Sequence, residues 1–292
     1  MSDVLLKVDH LCVDYRRSGH TRRVVDDVSF EIERGQTLGL VGESGSGKST
    51  IGNAILGLVP AAAGTVHYEA ADITHANGRV RRELTRHIQV VFQDPYGSLN
   101  PSRTIGATLA DGLSVGDRIS PKEITGRVAT SLEAVGMPTQ AAARYPSEFS
   151  GGQRQRIAIA RALISNPQLI VCDEAVSALD LSIQAQVLNL IADLQRERGL
   201  SYLFITHDLA VIAHIADHIA VLEKGRIVEQ GTTSQVIDAP SHPYTRMLLA
   251  AAPVPDPALQ RERRRDFHEQ RGQYLEAGTE TEVVRTTALK AH

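Results

Sequence analysis

Two adjacent carboxylates, Asp173 and Glu174, follow the apolar run LIVC at residues 169–172. An apolar run of this kind predicts a strand that is buried in a parallel sheet. Two negative charges at the end of a buried strand are costly unless a cation or a chemical task compensates for them. The pair is therefore a candidate for metal binding or for acid–base chemistry.

A glycine-rich stretch upstream predicts the ligand that such a cation would accompany. Residues 37–50 read TLGLVGESGSGKST, which is an apolar strand followed by the pattern GxxxxGKS and the start of a helix-like segment. In this context the pattern is typical of nucleotide-phosphate binding. Glycines let the loop N–H groups face phosphate oxygens, and the helix start carries partial positive charge. The predicted phosphate-binding residues are Gly42, Glu43, Ser44, Gly45, Ser46, Gly47, Lys48, Ser49 and Thr50.

The polar residues of these two stretches have distinct predicted roles. Lys48 is expected to reach the β- and γ-phosphates, and the Ser49 hydroxyl is expected to bind Mg²⁺. Asp173 suits the same Mg²⁺, which bridges the nucleotide phosphates. Glu174, one residue further on, points differently and is expected to accept a proton from the attacking water. The sequence thus predicts a site for ATP and Mg²⁺.

A third stretch discriminates among families of nucleotide-binding proteins. FSGGQRQRIAIARALISNP, at residues 149–167, resembles the LSGGQ signature of the ATP-binding cassette (ABC) ATPases, with Phe149 in the usual leucine position. The order of motifs over roughly residues 4–255 is also similar to that of this family. A serine and two glycines at a helix start make a second anion site. The resemblance implies that the γ-phosphate held by a second subunit is capped by Ser150, Gly151, Gly152 and Gln153.

The resemblance implies roles for four more residues. Gln93, which follows a β-rich run, would be the glutamine-loop residue that touches Mg²⁺ or the water. His207, at a strand end, would be the switch histidine that contacts the γ-phosphate and orients the water. Asp180, which closes SALD, would cross the dimer interface, and Tyr15 would stack on adenine, although strand tyrosines are also common in cores. Ala175 stands where the family usually has proline, which frees φ and restores an N–H; we expect a slightly looser loop and retained activity.

The composition excludes other kinds of site. The chain has 292 residues and a net charge of −3, which gives no reason to expect a polyanion-binding surface. Cys12 and Cys172 are far apart, which excludes a cysteine-built zinc or iron–sulfur site and suggests a reducing compartment. No apolar run approaches the roughly 18 to 20 residues of a membrane span, and the N-terminus lacks a signal peptide's apolar core. We expect a peripheral protein on the cytoplasmic side of the cell (inner) membrane, with no nucleic-acid partner.

The expected strands and helices predict how these motifs meet. Strands are predicted at about 4–14, 24–32, 37–41, 65–69, 88–92, 168–172 and 201–206. Helices alternate with them, which predicts an α/β core with a mainly parallel central sheet. The resemblance implies the P-loop NTPase fold of ABC ATPases, with an antiparallel β subdomain and a helical subdomain at about 94–160. We expect a nucleotide-binding domain over residues 4–252 and a C-terminal extension of the oligopeptide-importer type over residues 253–292.

Two stretches narrow the predicted function. VFQDPYGSLNP at residues 91–101 and SHPYTRMLLAAAPVP at residues 241–255 resemble the ATPase subunits of oligopeptide, dipeptide and nickel importers. We therefore expect an ATPase that powers an importer for peptides or a related small solute, with nickel as the alternative cargo. The expected partners are two transmembrane permease subunits, a second ATPase subunit that is identical or related and, indirectly, an extracytoplasmic solute-binding protein.

Other classes of ATPase fit the sequence less well. A chromosome-associated ABC ATPase would carry long coiled coils between phosphate loop and signature, but only about a hundred residues without sustained heptads separate Thr50 from Ser150. A ribosome-associated member would carry two cassettes, and this chain has one set of motifs. A P-loop kinase would have no use for the signature stretch.

Overall fold

The structure is a computed structural model that describes residues 3–17, 20–94, 97, 99–113 and 119–251. The strands in these ranges are β1 Val4–Arg17, β2 His20–Glu33, β3 Thr37–Val41, β4 Ala63–Tyr68, β5 Ala71–Asp72, β6 Ile88–Val91, β7 Leu169–Asp173, β8 Ser201–Thr206, β9 His218–Glu223 and β10 Arg226–Thr232. The helices are α1 Lys48–Ile55, α2 Gly78–Leu84, α3 Ile105–Asp111, α4 Pro121–Ala134, α5 Gly151–Leu163, α6 Leu181–Arg198, α7 Leu209–Ile215, α8 Thr233–Asp238 and α9 Pro243–Ala251. Short 3-10 turns lie at Thr139–Ala143 and Pro146–Glu148.

A six-stranded sheet forms the centre of the fold, in the order β10-β9-β3-β8-β7-β6. Its neighbouring strands are parallel, except that β9 and β10 pair antiparallel. Both faces of the sheet are covered: in β8, Leu203 and Ile205 belong to one core, and Tyr202 and Phe204 belong to the other. Strands buried on two faces need continuous apolar sequence, which is why the run before Asp173 does not alternate. The predicted α/β core with a mainly parallel sheet is confirmed.

The parallel register brings the carboxyl ends of β3, β8 and β7 to one edge of this sheet. Val41, the last residue of β3, pairs with Thr206 of β8. Asp173, the last residue of β7, pairs with Ile205 of the same strand. The phosphate loop, the acidic pair and His207 therefore begin side by side, at the edge where open α/β sheets bind ligands.

A second sheet is antiparallel, in the order β2-β1-β4-β5. Its apolar residues share a core with α1 and with one face of the central sheet. The opposite face of the central sheet packs in a second core with residues of α3 to α9. β3 contributes to both, since Leu38 and Leu40 lie in the first core and Val41 lies in the second. The strand that leads into the phosphate loop is thus held from two sides.

The first two strands extend beyond their predicted ends. β1 and β2 pair from Val4 opposite Glu33 to Arg17 opposite His20. Tyr15, Arg16 and residues 20–23 are exposed, so the hydrophobic pattern stops before the pairing does, and the predicted bounds of 4–14 and 24–32 were too short.

Three other predictions bear on the fold. The segment predicted as a helical subdomain contains α3, α4 and the beginning of α5. The predicted C-terminal extension at residues 253–292 lies outside the described residues. No helix within the described ranges is both long and apolar enough to cross a bilayer.

Candidate functional site

Glycines shape the phosphate loop, which connects β3 to α1. Gly42, Gly45 and Gly47 have φ angles of 155°, 81° and 110°. A Cβ on Gly42 would lie 2.1 Å from the carbonyl oxygen of Leu222, and a Cβ on Gly47 would lie 2.8 Å from that of Val24. The loop is pressed against neighbouring backbone, so residues with side chains cannot replace these two glycines without displacing it.

Lys48, the first residue of α1, is buried at the phosphate loop with 4% of its surface exposed. Its Nζ donates hydrogen bonds to the carbonyl oxygens of Gly42 at 2.7 Å and Glu43 at 2.8 Å. Burial lowers the pKa of Lys48, while the charges of Glu174 and Asp173 raise it. An ammonium group that donates to neutral carbonyls forms a stronger hydrogen bond when a negatively charged phosphate oxygen replaces them.

Ser49 joins the phosphate loop to the acidic strand. Its Oγ donates to Oδ1 of Asp173 at 2.8 Å, although the two residues lie 124 positions apart in the chain. Burial raises the pKa of the Asp173 carboxyl, the hydrogen bond from Ser49 lowers it, and the charge of Glu174 raises it further. A half-buried carboxylate beside a second carboxylate is stabilised by a cation.

Glu174 and His207 face each other at the ends of β7 and β8. Nδ1 of His207 lies 3.4 Å from Oε1 of Glu174. Glu174 has a φ angle of 49°, and its N–H donates to the carbonyl oxygen of Ile205 at 2.9 Å. Ala175, which follows it, is buried with 1% exposure. A non-glycine residue held in the left-handed region by its surroundings is a recurrent feature of functional sites.

The oxygen atoms at this edge fit a magnesium ion without completing its coordination. Ser49 Oγ and the Asp173 carboxylate are hard donors of the kind that Mg²⁺ takes. Gln93 follows β6 by two residues, and Val91 of β6 pairs with Cys172, so the backbone carries Gln93 to the same edge. Across the described ranges, no group of three or more His, Cys, Asp or Glu side chains could hold a metal ion. Ser49, Asp173 and Gln93 would leave ligand positions of an octahedral Mg²⁺ open to phosphate oxygens and water.

Asp173→Asn is expected to raise the thermal stability of the nucleotide-free chain and to weaken its binding of Mg-ATP. The substitution removes a half-buried charge beside Glu174 and keeps an acceptor for the Ser49 hydroxyl. Loss of the charged oxygen is expected to reduce Mg²⁺-dependent affinity by about 10- to 100-fold. Calorimetric unfolding without nucleotide and titration with Mg-ATP measure the two effects.

Asp193→Asn, at an exposed position of α6, is the matched control and is expected to change neither quantity. A lower unfolding temperature of nucleotide-free Asp173→Asn would show that the Asp173 charge is stabilised by the folded chain alone and does not depend on a cation.

Tyr15 lies on the hairpin formed by β1 and β2. It pairs with Arg22 in the antiparallel register and is 42% exposed. The alternative that it fills the core is therefore wrong, and its ring is accessible to a planar ligand. A cleft of about 380 Å³ lies beside this hairpin, lined by phosphate-loop residues 43–46 together with Arg22, Arg23 and Lys224.

The signature residues form the start of α5. Ser150 Oγ accepts a hydrogen bond from the N–H of Gln153 at 3.4 Å, and Oε1 of Gln153 accepts one from the N–H of Ser150 at 3.0 Å. These reciprocal bonds make a capping box. A Cβ on Gly152 would lie 2.4 Å from Cγ2 of Ile183, so glycine permits close packing of α5 on α6. The Gln153 side chain thus caps the helix, and its phosphate contact stays a prediction.

Asp180 caps α6 in a similar way. Its Oδ1 accepts hydrogen bonds from the N–H of Ile183 at 3.0 Å and from Oγ of Ser182 at 2.7 Å. The bond from the Ile183 N–H and the bond from Ser182 lower the pKa of the Asp180 carboxyl. The SALD motif therefore contains a helix cap, and the interface role of Asp180 stays a prediction.

The predicted residues fall into two groups in this chain. Ser49 meets Asp173, and Glu174 meets His207, at the edge where Lys48 begins α1. The signature belongs to the contact between α5 and α6. The contact of the signature with a nucleotide held by a second subunit stays a prediction.

One residue that contacts the phosphate loop is not predicted by the sequence motifs. The hydroxyl of Tyr244 in α9 accepts a hydrogen bond from the N–H of Glu43 at 3.1 Å. The stretch SHPYT indicates the subfamily, but it predicts no role for Tyr244. A tyrosine 201 residues from its partner leaves no local sign of the contact.

Known protein families and relatives are similar to this chain over most of its length. The family model described as "ABC transporter" matches residues 25–177, and the model described as "Oligopeptide/dipeptide transporter, C-terminal region" matches residues 228–277. The chain is 46% identical over 271 residues to the oligopeptide transport ATP-binding protein OppF of Bacillus subtilis, covering 92% of this chain and 89% of that protein. It is 48% identical over 241 residues to the dipeptide transport ATP-binding protein DppF of Haemophilus influenzae, covering 82% and 74%.

A solved structure of similar fold is the dimeric post-hydrolysis state of the ATP-binding cassette MJ0796, bound to ADP and Pi. It matches this chain with a TM-score of 0.71 at 28% identity, covering 78% of this chain and 98% of that one.

Proposed function

The chain belongs to the ABC transporter family, and from this premise we propose that it is the ATP-hydrolysing subunit of a peptide importer. It binds ATP and couples hydrolysis to the import of a solute, as its similarity to importer ATP-binding proteins indicates. The observation that carries the proposal is the hydrogen bond from Ser49 to Asp173. It joins the phosphate loop to the acidic strand, beside the strand end that bears His207.

Lys48 and the loop backbone are proposed to hold the phosphates. Lys48 Nζ exchanges the carbonyls of Gly42 and Glu43 for a charged oxygen. Gly47 precedes α1 and has no side chain to cap it, so the first N–H groups of the helix are directed toward the phosphate. The remaining loop residues, from Ser44 to Ser46, and Thr50 contribute to the same cradle.

Ser49, Asp173 and Gln93 are proposed to hold Mg²⁺, which when bound neutralises phosphate charge. Glu174 accepts a proton from the attacking water. His207, 3.4 Å from the Glu174 carboxylate, contacts the γ-phosphate and orients the water. Each role rests on a side chain at the same edge of the sheet.

A second ATPase subunit is proposed to complete each nucleotide site, since ABC cassettes work as dimers with permease components. Signature residues 150–153 cap the γ-phosphate on the partner's phosphate loop, Asp180 contributes to the interface, and Tyr15 stacks on adenine. Two permease subunits anchor the pair at the cytoplasmic face of the membrane, and a solute-binding protein delivers cargo from the other side. The nucleotide-binding domain spans residues 4–252, followed by the extension at 253–292.

Peptide is the proposed cargo rather than nickel. The two relatives are named for oligopeptide and dipeptide transport, and the matched C-terminal model is that of oligopeptide/dipeptide transporters. These relatives give no support to a role in chromosome maintenance or on the ribosome.

Uptake by reconstituted vesicles tests the proposal. We expect vesicles that hold the permeases and both ATPase subunits to take up a labelled oligopeptide only when Mg-ATP is on the side of this chain and the solute-binding protein is on the other. A non-hydrolysable ATP analogue is the control and should give no uptake. ATP-dependent uptake of nickel but not of peptide would overturn the proposed cargo, and uptake of neither would overturn the transport function.

A further inference from the structure

The segment SHPYT, residues 241–245, is bound to β10 through Glu229. Oε1 of Glu229 accepts hydrogen bonds from the N–H and the Oγ of Ser241, both at 2.7 Å, and Oε2 accepts one from the N–H of His242 at 3.1 Å. A carboxylate at this position also interacts favourably with the amino end of α9. Three hydrogen bonds to the Glu229 carboxylate therefore hold the start of α9 against the central sheet.

Glu229 keeps its charge over the whole physiological pH range. Burial raises the pKa of its carboxyl, but the Thr245 side chain and the hydrogen bonds from Ser241 and His242 outweigh burial and lower the pKa to about 2. A depressed carboxylate pKa stabilises the fold above the pKa of the unfolded chain, and that stabilisation is lost only as the pH falls toward 2. The carboxylate to which α9 is attached is therefore ionised near neutral pH.

Tyr244, one residue into α9, reaches from this attachment to the phosphate loop. Its side chain is buried, with 3% exposure, and its hydroxyl accepts from the N–H of Glu43 at 3.1 Å. The carbonyl oxygen of Glu43 accepts from Lys48 Nζ at 2.8 Å. The backbone of one loop residue is therefore held by Tyr244 at its N–H and by Lys48 at its carbonyl.

We propose that Tyr244 is a positioning residue for the phosphate loop, held in place by Glu229, and that the start of the C-terminal region sets the affinity of the nucleotide site. The inference rests on the proposed function, because it concerns the same loop. When a phosphate draws Lys48 away from the Glu43 carbonyl, the bond to Tyr244 continues to hold that residue. The matched oligopeptide/dipeptide transporter region, residues 228–277, contains both Glu229 and Tyr244.

The size of the effect follows from pre-organisation. A loop that is already in its binding conformation loses less conformational entropy when the nucleotide binds. If only a fraction of the molecules have the loop in that conformation, the apparent affinity falls in proportion to that fraction. The free energy of a single neutral hydrogen bond is enough to change the fraction of molecules with the loop in its binding conformation by about 3- to 10-fold. Tyr244 does not touch the reacting atoms, so the effect should appear in binding and not in the chemical step.

Tyr244→Phe in the full chain tests the inference, because it removes the acceptor oxygen and keeps the buried ring. We expect affinity for a fluorescent, non-hydrolysable ATP analogue with Mg²⁺ to fall about 3- to 10-fold, and exchange of the Glu43 amide proton to accelerate by a similar factor. In the assembled transporter, KM for ATP should rise with kcat nearly unchanged.

Tyr202→Phe is the matched control. Tyr202 is also a buried tyrosine, and its hydroxyl has no hydrogen-bond partner among the residues that the structure describes. It lies near the amino end of β8, opposite the end that leads to His207. Its substitution is expected to leave nucleotide affinity and Glu43 exchange unchanged.

Glu229→Gln is a second variant that acts through the attachment of α9. The substitution removes the negative charge and leaves a single acceptor oxygen, so either the N–H of Ser241 or that of His242 loses its acceptor. It should therefore weaken nucleotide binding at least about twofold. Suppose that the wild-type chain binds the ATP analogue and that Lys48→Ala does not. Unchanged affinity in both Tyr244→Phe and Glu229→Gln would then overturn this inference and leave the proposed function standing. A lower unfolding temperature with unchanged affinity would do the same. Failure of the wild-type chain to bind nucleotide would overturn the proposed function and the inference together.

Discussion

Lys48→Ala is expected to abolish ATP hydrolysis by the assembled transporter, with a loss of at least about 10²- to 10³-fold in kcat. Lys48 is buried at the loop and is bonded to the carbonyls of Gly42 and Glu43. The substitution therefore removes a pre-positioned cation from the point where phosphate charge accumulates. The rate of Pi release from ATP measures the loss, and the same variant should not support peptide uptake.

Lys7→Ala provides the control, because Lys7 forms an exposed ion pair with Glu31 at 2.9 Å on the antiparallel sheet. Exposed pairs contribute little to stability, and this one lies outside the phosphate loop, so hydrolysis should continue at the wild-type rate. Near-wild-type hydrolysis by a folded Lys48→Ala subunit would mean that the nucleotide site has been assigned to the wrong residues.

Glu174→Gln is expected to bind ATP, to dimerise and to leave the nucleotide uncleaved. The substitution keeps the shape of the side chain but removes the proton acceptor, which costs about 10²- to 10⁴-fold in rate. The left-handed backbone of Glu174 and the bond from its N–H to Ile205 do not depend on the charge, so the turn after β7 should persist. ATP then holds the phosphate loop of one subunit against the signature of the other.

Size-exclusion chromatography with Mg-ATP measures the fraction of the protein that is dimeric. The second ATPase subunit is included in the sample, so that a heterodimer is detected as well as a homodimer. Glu123→Gln, on the exposed surface of α4, is the control and should hydrolyse ATP and dissociate as the wild type does. Brisk hydrolysis by Glu174→Gln would remove Glu174 from the role of base. If Glu174→Gln and Asp173→Asn were equally defective in ATP binding, the two acids would form a single metal site without separate roles.

The sequence predicts much of the fold because its signals are local. The continuous apolar runs of β3, β7 and β8 indicate strands covered on both faces, and the glycines before Lys48 indicate a loop that passes close to other backbone. The sequence does not predict the end of β1 and the beginning of β2, because Tyr15, Arg16 and residues 20–23 are exposed and carry no hydrophobic alternation. Pairing there depends on the partner strand rather than on the side chains.

Capping is a second case where local sequence and structure diverge. The signature predicts an anion site at Ser150, and the structure adds that Gln153 and Ser150 bond to each other. Asp180 likewise carries a cap that the SALD motif does not reveal. The capping bonds of Ser150 and Asp180 depend on the backbone conformation of the first turn of α5 and α6. The residue types in the family motifs determine that conformation only in part.

The sequence by itself determined the family, the phosphate loop and the acids, because each is a contiguous pattern with one physical requirement. The tertiary structure decided which of these patterns meet. The strand order β3-β8-β7 brings Ser49 to Asp173 across 124 residues and Glu174 to His207 across 33. Only the packing of α9 brings Tyr244 to Glu43. A hydrogen bond between distant segments depends on distances of a few tenths of an ångström, and these are set by strand order and helix packing rather than by any local pattern of residues.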